Sequence, residues 1–113
     1  GLGDVYKRQG FAYIIMKRET IEAFGVSDED AAAQVSTIST IEGCPVWAIF
    51  MDYPNEIRIR LRSRGPVINL LAEEYHGGGH AKASGARLND WNELNGFLAK
   101  ADDLVKQYKG INN

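Results

Sequence analysis

From Ile57 to Arg64 the chain alternates without a break, with Ile57, Ile59, Leu61 and Ser63 on one side and Arg58, Arg60, Arg62 and Arg64 on the other. Successive side chains of an extended strand point to opposite faces, whereas on a helix these residues would scatter around the axis. The segment is therefore a strand with one buried face and one line of guanidinium groups. Such a strand needs a sheet beside it and a layer on top of it, which excludes an all-helical chain. The apolar run from Val46 to Tyr53, joined to it through Pro54-Asn55, reads as its hairpin partner.

The remaining elements follow from shorter signals. Phe11 to Met16 is a continuous apolar run of strand length. Lys17 to Phe24 places Ile21 and Phe24 at helical spacing and stops at Gly25, a C-cap residue. Ser27 can cap a following helix, with Asp30 as its capping-box partner and Ala31-Ala32-Ala33 inside it. That helix should fade near Ser36, where Ser36-Thr37 and Ser39-Thr40 compete for backbone hydrogen bonds, while Ile38 and Ile41 still pack. Pro66 suits the first turn of a helix whose buried stripe is Ile68, Leu71, Ala72 and Tyr75. After a strand over 83–88, Asp90 and Glu93 form a capping box for a last helix with Trp91, Leu94, Leu98, Ala101, Val105 and Tyr108 on its inner face, closed by Gly110. The expected fold class is α/β, a single mixed β-sheet of about four to five strands with helices packed mainly on one face.

Length and composition narrow the functional classes. At 113 residues the chain holds one domain. A formal net charge of −2 makes any contact with nucleic acid a matter of a local basic patch. Cys44 is the only cysteine, which excludes an internal disulfide and a cysteine-based zinc cluster and fits a reducing cytoplasm. No apolar run reaches the roughly 18 residues of a membrane span. Residues 1–9 carry no periodicity and suggest no strand partner. The string Asp4-Val5-Tyr6-Lys7-Arg8-Gln9 resembles a translated sequencing-adapter end, so 1–9 is expected to be non-native or disordered, with the domain over 10–110 and a tail at 111–113.

The stretch from Tyr75 to Gly85 carries the chemistry. Gly77-Gly78-Gly79 is poor in a helix or a packed strand, because glycine gives up the most backbone freedom and offers no side chain to bury. One glycine would serve as a helix cap. Three in a row, followed by His80 and then Ala83-Ser84-Gly85, point to backbone N–H groups held close to an anion. Arg62 and Arg64 end the basic line just before Gly65, and the arginine fork can grip a phosphate while its plane stacks on a base. Arg58 and Arg60 are as readily a solvated sheet surface. His76 and His80 stand at a spacing that would pair them only on a helix, and neither cysteine nor a nearby carboxylate completes a metal set. No combination of nucleophile, base and orienter is present, so this chain by itself is expected to be catalytically inactive.

Together Leu61-Arg62-Ser63-Arg64-Gly65, the helix after it, His76-Gly77-Gly78-Gly79-His80 and Ala83-Ser84-Gly85 resemble the DHH-associated domain, the C-terminal substrate-binding half of DHH phosphoesterases, with the oligoribonuclease and pAp-phosphatase branch nearest. His76 stands where that family commonly has the first of four glycines. The resemblance implies a substrate-binding set of Arg62, Ser63, Arg64, Gly65, Gly77, Gly78, Gly79, His80, Ser84 and Gly85. It implies no cofactor in this chain, and manganese in an N-terminal catalytic domain that the chain lacks. Short single-stranded RNA or pAp as substrate, that catalytic domain as partner and a homodimer of the full-length protein are implied in the same way. Cyclic dinucleotides belong to related branches. The alternative is a non-catalytic nucleic-acid-binding module like that attached to alanyl-tRNA synthetases, and an upstream Asp-His-His motif or a synthetase body would separate the two.

Overall fold

The hairpin read from the alternation is the centre of a six-stranded sheet. In a computed structural model, which describes residues 4–39 and 41–112, the strands are β1 (Val5–Lys7), β2 (Phe11–Met16), β3 (Val46–Tyr53), β4 (Glu56–Ser63), β5 (Gly78–His80) and β6 (Ala83–Leu88). The helices are α1 (Arg18–Phe24), α2 (Asp28–Ala32), α3 (Asn69–Glu74) and α4 (Leu94–Asn112). The strand order is β1-β2-β3-β4-β6-β5. Only β2 and β3 run parallel, so the sheet is mixed: helices cross between those two strands, while β1–β2, β3–β4 and β5–β6 are joined by short turns.

The sheet has six strands against the expected four to five, and the two that no sequence signal marks, β1 and β5, are short edges. β1 lies inside the segment read as having no partner, and it pairs antiparallel with β2, Tyr6 opposite Tyr13 with rings 5.2 Å apart. β5 is built from the glycine run itself, paired with β6. Neither carries the apolar alternation by which strands are recognised, since each is defined by what it lies against.

The sheet buries both faces, unequally. On one face α3 and α4 cover Phe11, Tyr13, Val46, Phe50, Ile57, Ile59, Leu61, Ala86 and Leu88. Phe97 of α4, fully buried, stands edge-on between Phe50 (5.6 Å) and Tyr75 (5.0 Å), a geometry aromatic rings favour. This is the larger helical layer. On the opposite face α1, α2 and a 3₁₀ segment (Ala33–Ile38) cover mainly β2 and β3, closing over Ile14, Met16, Trp47, Ile49 and Met51. Ile38 is buried there and Ile41 partly so, whereas Thr40 lies outside the described residues. The second layer reaches β4 only along its margin and leaves β6 and β5 open, and the arginines stand on that margin.

Caps fall largely where the sequence places them. Gly25 is left-handed (φ 67°) at the end of α1, and Ser27 accepts the Asp30 N–H at 3.0 Å. Asp90 accepts from the Asn92 N–H, and Glu93 reaches back to the Asn89 N–H, around a single 3₁₀ turn that precedes α4. Two boundaries differ. α3 begins at Asn69, three residues beyond Pro66, because the Ser63 hydroxyl, accepting from the Gly65 N–H and donating to Pro66 O, holds the chain there in a turn. α4 runs through Gly110 to Asn112, so Gly110 does not end it.

Candidate nucleotide-binding face

The open strip has a simple grid. On the face away from α3 and α4, the pairing registers set Arg62 beside Ala83 and then His80, Arg60 beside Gly85 and then Gly78, and Arg58 beside Arg87. The middle strand therefore offers only small residues at the first two rows, a shallow floor between the arginine row and the glycine edge. At about 4.8 Å per strand step, the Arg60 and Gly78 backbones lie roughly 10 Å apart across that floor. At the far end a depression of about 320 Å³ is lined by Arg58, Arg60, His76, Gly77, Gly85 and Arg87.

The arginines are not equivalent. Arg58 donates to Glu56 at 2.6 Å and sits over the Tyr53 ring. Arg87 lies 3.6 Å from Glu56, and Arg60 donates to Glu29 at 2.9 Å. Arg62 and Arg64, by contrast, meet no carboxylate among the described residues. The Arg62 Nη1 donates only to backbone oxygens, Leu61 at 2.9 Å and Ser84 at 3.4 Å, so its head lies over the ladder between β4 and β6. Partial burial, and secondarily the charge of Arg60, lower its pKa from the ordinary arginine value. A half-buried cation without a counter-charge is a place where an incoming anion gains most. Arg64 is exposed; its guanidinium lies 4.7 Å above the Trp47 ring and donates at 3.4 Å to the Cys44 carbonyl. Trp47 was not among the residues expected at this face, although the alternation of β3 places it on the same side as its cross-strand partner Arg62.

The glycines divide into different jobs. The Gly77 N–H donates to the Ala72 carbonyl, and a Cβ there would stand 1.9 Å from the Gly85 oxygen. Gly77 is thus fixed by contact between backbones and does not offer its N–H to a ligand. Gly79, at φ 139°, would collide with Ala83 and Ser84. Gly78 differs, because a Cβ would meet nothing nearer than Glu73 at 3.9 Å. As an edge strand, β5 leaves about half of its N–H and C=O groups facing away from β6. Gly65 packs under Tyr108, whose ring excludes any larger residue, and Gly85 paves the floor beside Arg60.

Ser63 and Ser84 point the other way. Both are buried on the α3 side, the Ser63 hydroxyl donating to Pro66 O (2.6 Å) while accepting the Gly65 N–H, and the Ser84 hydroxyl donating to His80 O (2.7 Å). Their contacts hold the turn after β4 and the end of β5. His80 is exposed at the edge, next to Ala83. His76 is the one described non-glycine residue with positive φ, at 62°. A side chain there costs about 1 kcal/mol, so His76→Gly is expected to raise stability by roughly that amount, seen as a Tm several degrees higher. No change in Tm would mean that the turn relaxes in solution. Among the described residues no three of histidine, cysteine, aspartate and glutamate gather to hold a metal ion, and no helix is long and apolar enough to cross a membrane.

The fold is that of a mixed α/β domain whose sheet is left open over one half of a face. Residues 10–107 match the DHHA1 domain, and the chain belongs to that family. It is 41% identical over 100 residues to the bifunctional oligoribonuclease and PAP phosphatase NrnA of Bacillus subtilis, covering 88% of this chain and 32% of that protein. An exopolyphosphatase-related protein from Bacteroides fragilis superposes with a TM-score of 0.76 at 28% identity, over 96% of this chain and 32% of that one. The C-Ala domain of alanyl-tRNA synthetase from Aquifex aeolicus shares the fold, with a TM-score of 0.60 at 11% identity, over 90% of this chain and 97% of that one. The chain thus spans about a third of the length of its curated relatives.

Proposed function

We propose that this domain binds the phosphates of short single-stranded RNA or pAp and presents them to a DHH catalytic domain, working in the cytoplasm. Arg62 carries the reading: it is the partly buried cation of the row without a carboxylate, and its head reaches Ser84 O on β6, the strand beside the glycine edge. Arg64, braced on Trp47, supplies a second fork, and the backbone groups that the β5 edge turns away from β6 line the opposite side. Gly65, Gly77, Gly79, Gly85, Ser63 and Ser84 shape the backbone that carries these donors. Water activation by manganese belongs to the catalytic domain, and the full-length protein works as a homodimer.

The reading requires binding that needs no metal and weakens as salt rises, because phosphate contacts release counterions. Calorimetric titration of the chain with pAp and with a short RNA, at two salt concentrations and with a chelator present, measures this directly. Binding that appears only with manganese, or none to either ligand, would falsify it. A bare preference for long structured RNA would favour the module of the synthetase type instead.

A further inference from the structure

Arg60 is the arginine of the row held by a carboxylate from a different layer. Glu29 of α2, distant in sequence, crosses the edge of the second layer to accept from Arg60 Nη2 at 2.9 Å. The Glu29 side chain is 81% exposed and that of Arg60 36%, so the pair is a surface ion pair, worth less than about a fivefold change in an equilibrium constant. It is easily exchanged for another anion. Arg62, two residues along and on the same face, has no such partner, and the two backbones are about 6.6 Å apart. A ribose phosphorylated at both its 5′ and 3′ oxygens presents two anions at a separation of that order.

We propose that Glu29 stands in for a second phosphate: it holds Arg60 until a ligand with phosphates on both sides of one sugar displaces it. The proposal rests on the reading of Arg62 as the primary phosphate contact. A ligand with a single phosphate engages Arg62 and Arg64 and leaves the Glu29–Arg60 pair intact. A ligand carrying the second phosphate takes Arg60 as well and releases Glu29 to solvent. The site thereby recognises the element common to pAp and an RNA end, one nucleoside between two phosphates. Glu29 lowers the gain from the second phosphate without touching the first.

AMP and pAp make the comparison, titrated into the wild-type chain and into Glu29→Gln, Arg60→Ala and Arg62→Ala over a series of salt concentrations. Glu29→Gln is expected to tighten pAp by about two- to fivefold and to leave AMP unchanged. Arg60→Ala should weaken pAp by about tenfold and AMP by less than about twofold. In the wild type the second phosphate replaces one anion by another on Arg60 and releases no counterion there. In Glu29→Gln the fall of pAp affinity with salt should therefore steepen while that of AMP stays as in the wild type, a split that a merely structural glutamate would not cause. Equal tightening of AMP and pAp by Glu29→Gln would show that Glu29 acts only through its field and would overturn the proposal. Equal losses of AMP and pAp in Arg60→Ala, with Arg62→Ala still impairing both, would overturn it and leave the primary site standing. Indifference of both ligands to Arg62→Ala, or no wild-type binding, would remove the primary site and the proposal with it. Thermal unfolding of each variant verifies that the fold is retained.

Discussion

Arg62→Ala is expected to cost about 1.5–3 kcal/mol of affinity for pAp or a short RNA, the scale of a charge-assisted hydrogen bond. The loss should come with little change in stability, since the Arg62 head bonds only to backbone oxygens that water can serve in its place. Arg64→Ala belongs to the same range, because its fork lies exposed beside Arg62 and is held by Trp47. Arg58 is committed to Glu56 and Tyr53 and lies two rows away, so Arg58→Ala should remove only a screened long-range contribution. Arg62→Lys should restore part of the loss, an ammonium being unable to reproduce a bidentate or stacked contact. Affinities of these variants measured side by side decide the matter. If Arg58→Ala and Arg62→Ala lose equally, the strand is a diffuse basic stripe and not a phosphate clamp.

Neighbouring glycines give the second large contrast. Gly77→Ala places a methyl group 1.9 Å from the Gly85 oxygen and 2.7 Å from the Ala86 Cα, and both obstacles are backbone of β6. Either β6 shifts, which disrupts its ladder to β4, or the chain after α3 pulls away. The expected cost is about 3 kcal/mol or more, a fall in Tm of more than about 10 °C. Gly78→Val should instead fold within about 1 kcal/mol of the wild type, since its Cβ has room and valine suits an extended backbone. Its methyl groups then occupy the space in front of the edge, and affinity should fall below detection. A Gly78→Val chain that keeps both fold and affinity would reduce the glycine run to a turn.

How far the sequence led depends on where each signal resides. The alternation of β4 is local, so its two faces, its hairpin with β3 and the buried stripe of α3 were all readable in advance. β5 was not, because three residues of glycine and histidine have no period and become a strand only when β6 lies beside them. The same alternation that put Ser63 with Ile57, Ile59 and Leu61 already directed it away from the arginine face, and the structure has it bonded to Pro66 and Gly65. Family motif and side-chain direction pointed to different roles for that residue, and its hydrogen bonds make it a support of the turn. The expected backbone cradle also narrows, since the Gly77 N–H is taken by Ala72. Glu29 could not be placed from the chain alone, because it meets Arg60 across a large sequence separation, through layer packing that no local pattern encodes. Trp47 was within reach, since the hairpin register sets it opposite Arg62.

β5 adds no side chain to either apolar cluster, and what ties it down is one ladder with β6, the Ser84 hydroxyl and the Gly77 N–H. Its amides should therefore exchange with solvent hydrogen through small local openings, long before the amides of β3 and β4, which open only with the whole domain. Whatever settles on the glycine edge must close those openings first, so measured affinity contains a share of local folding free energy. Mild denaturant, too dilute to unfold the sheet, should already weaken the ligand's hold.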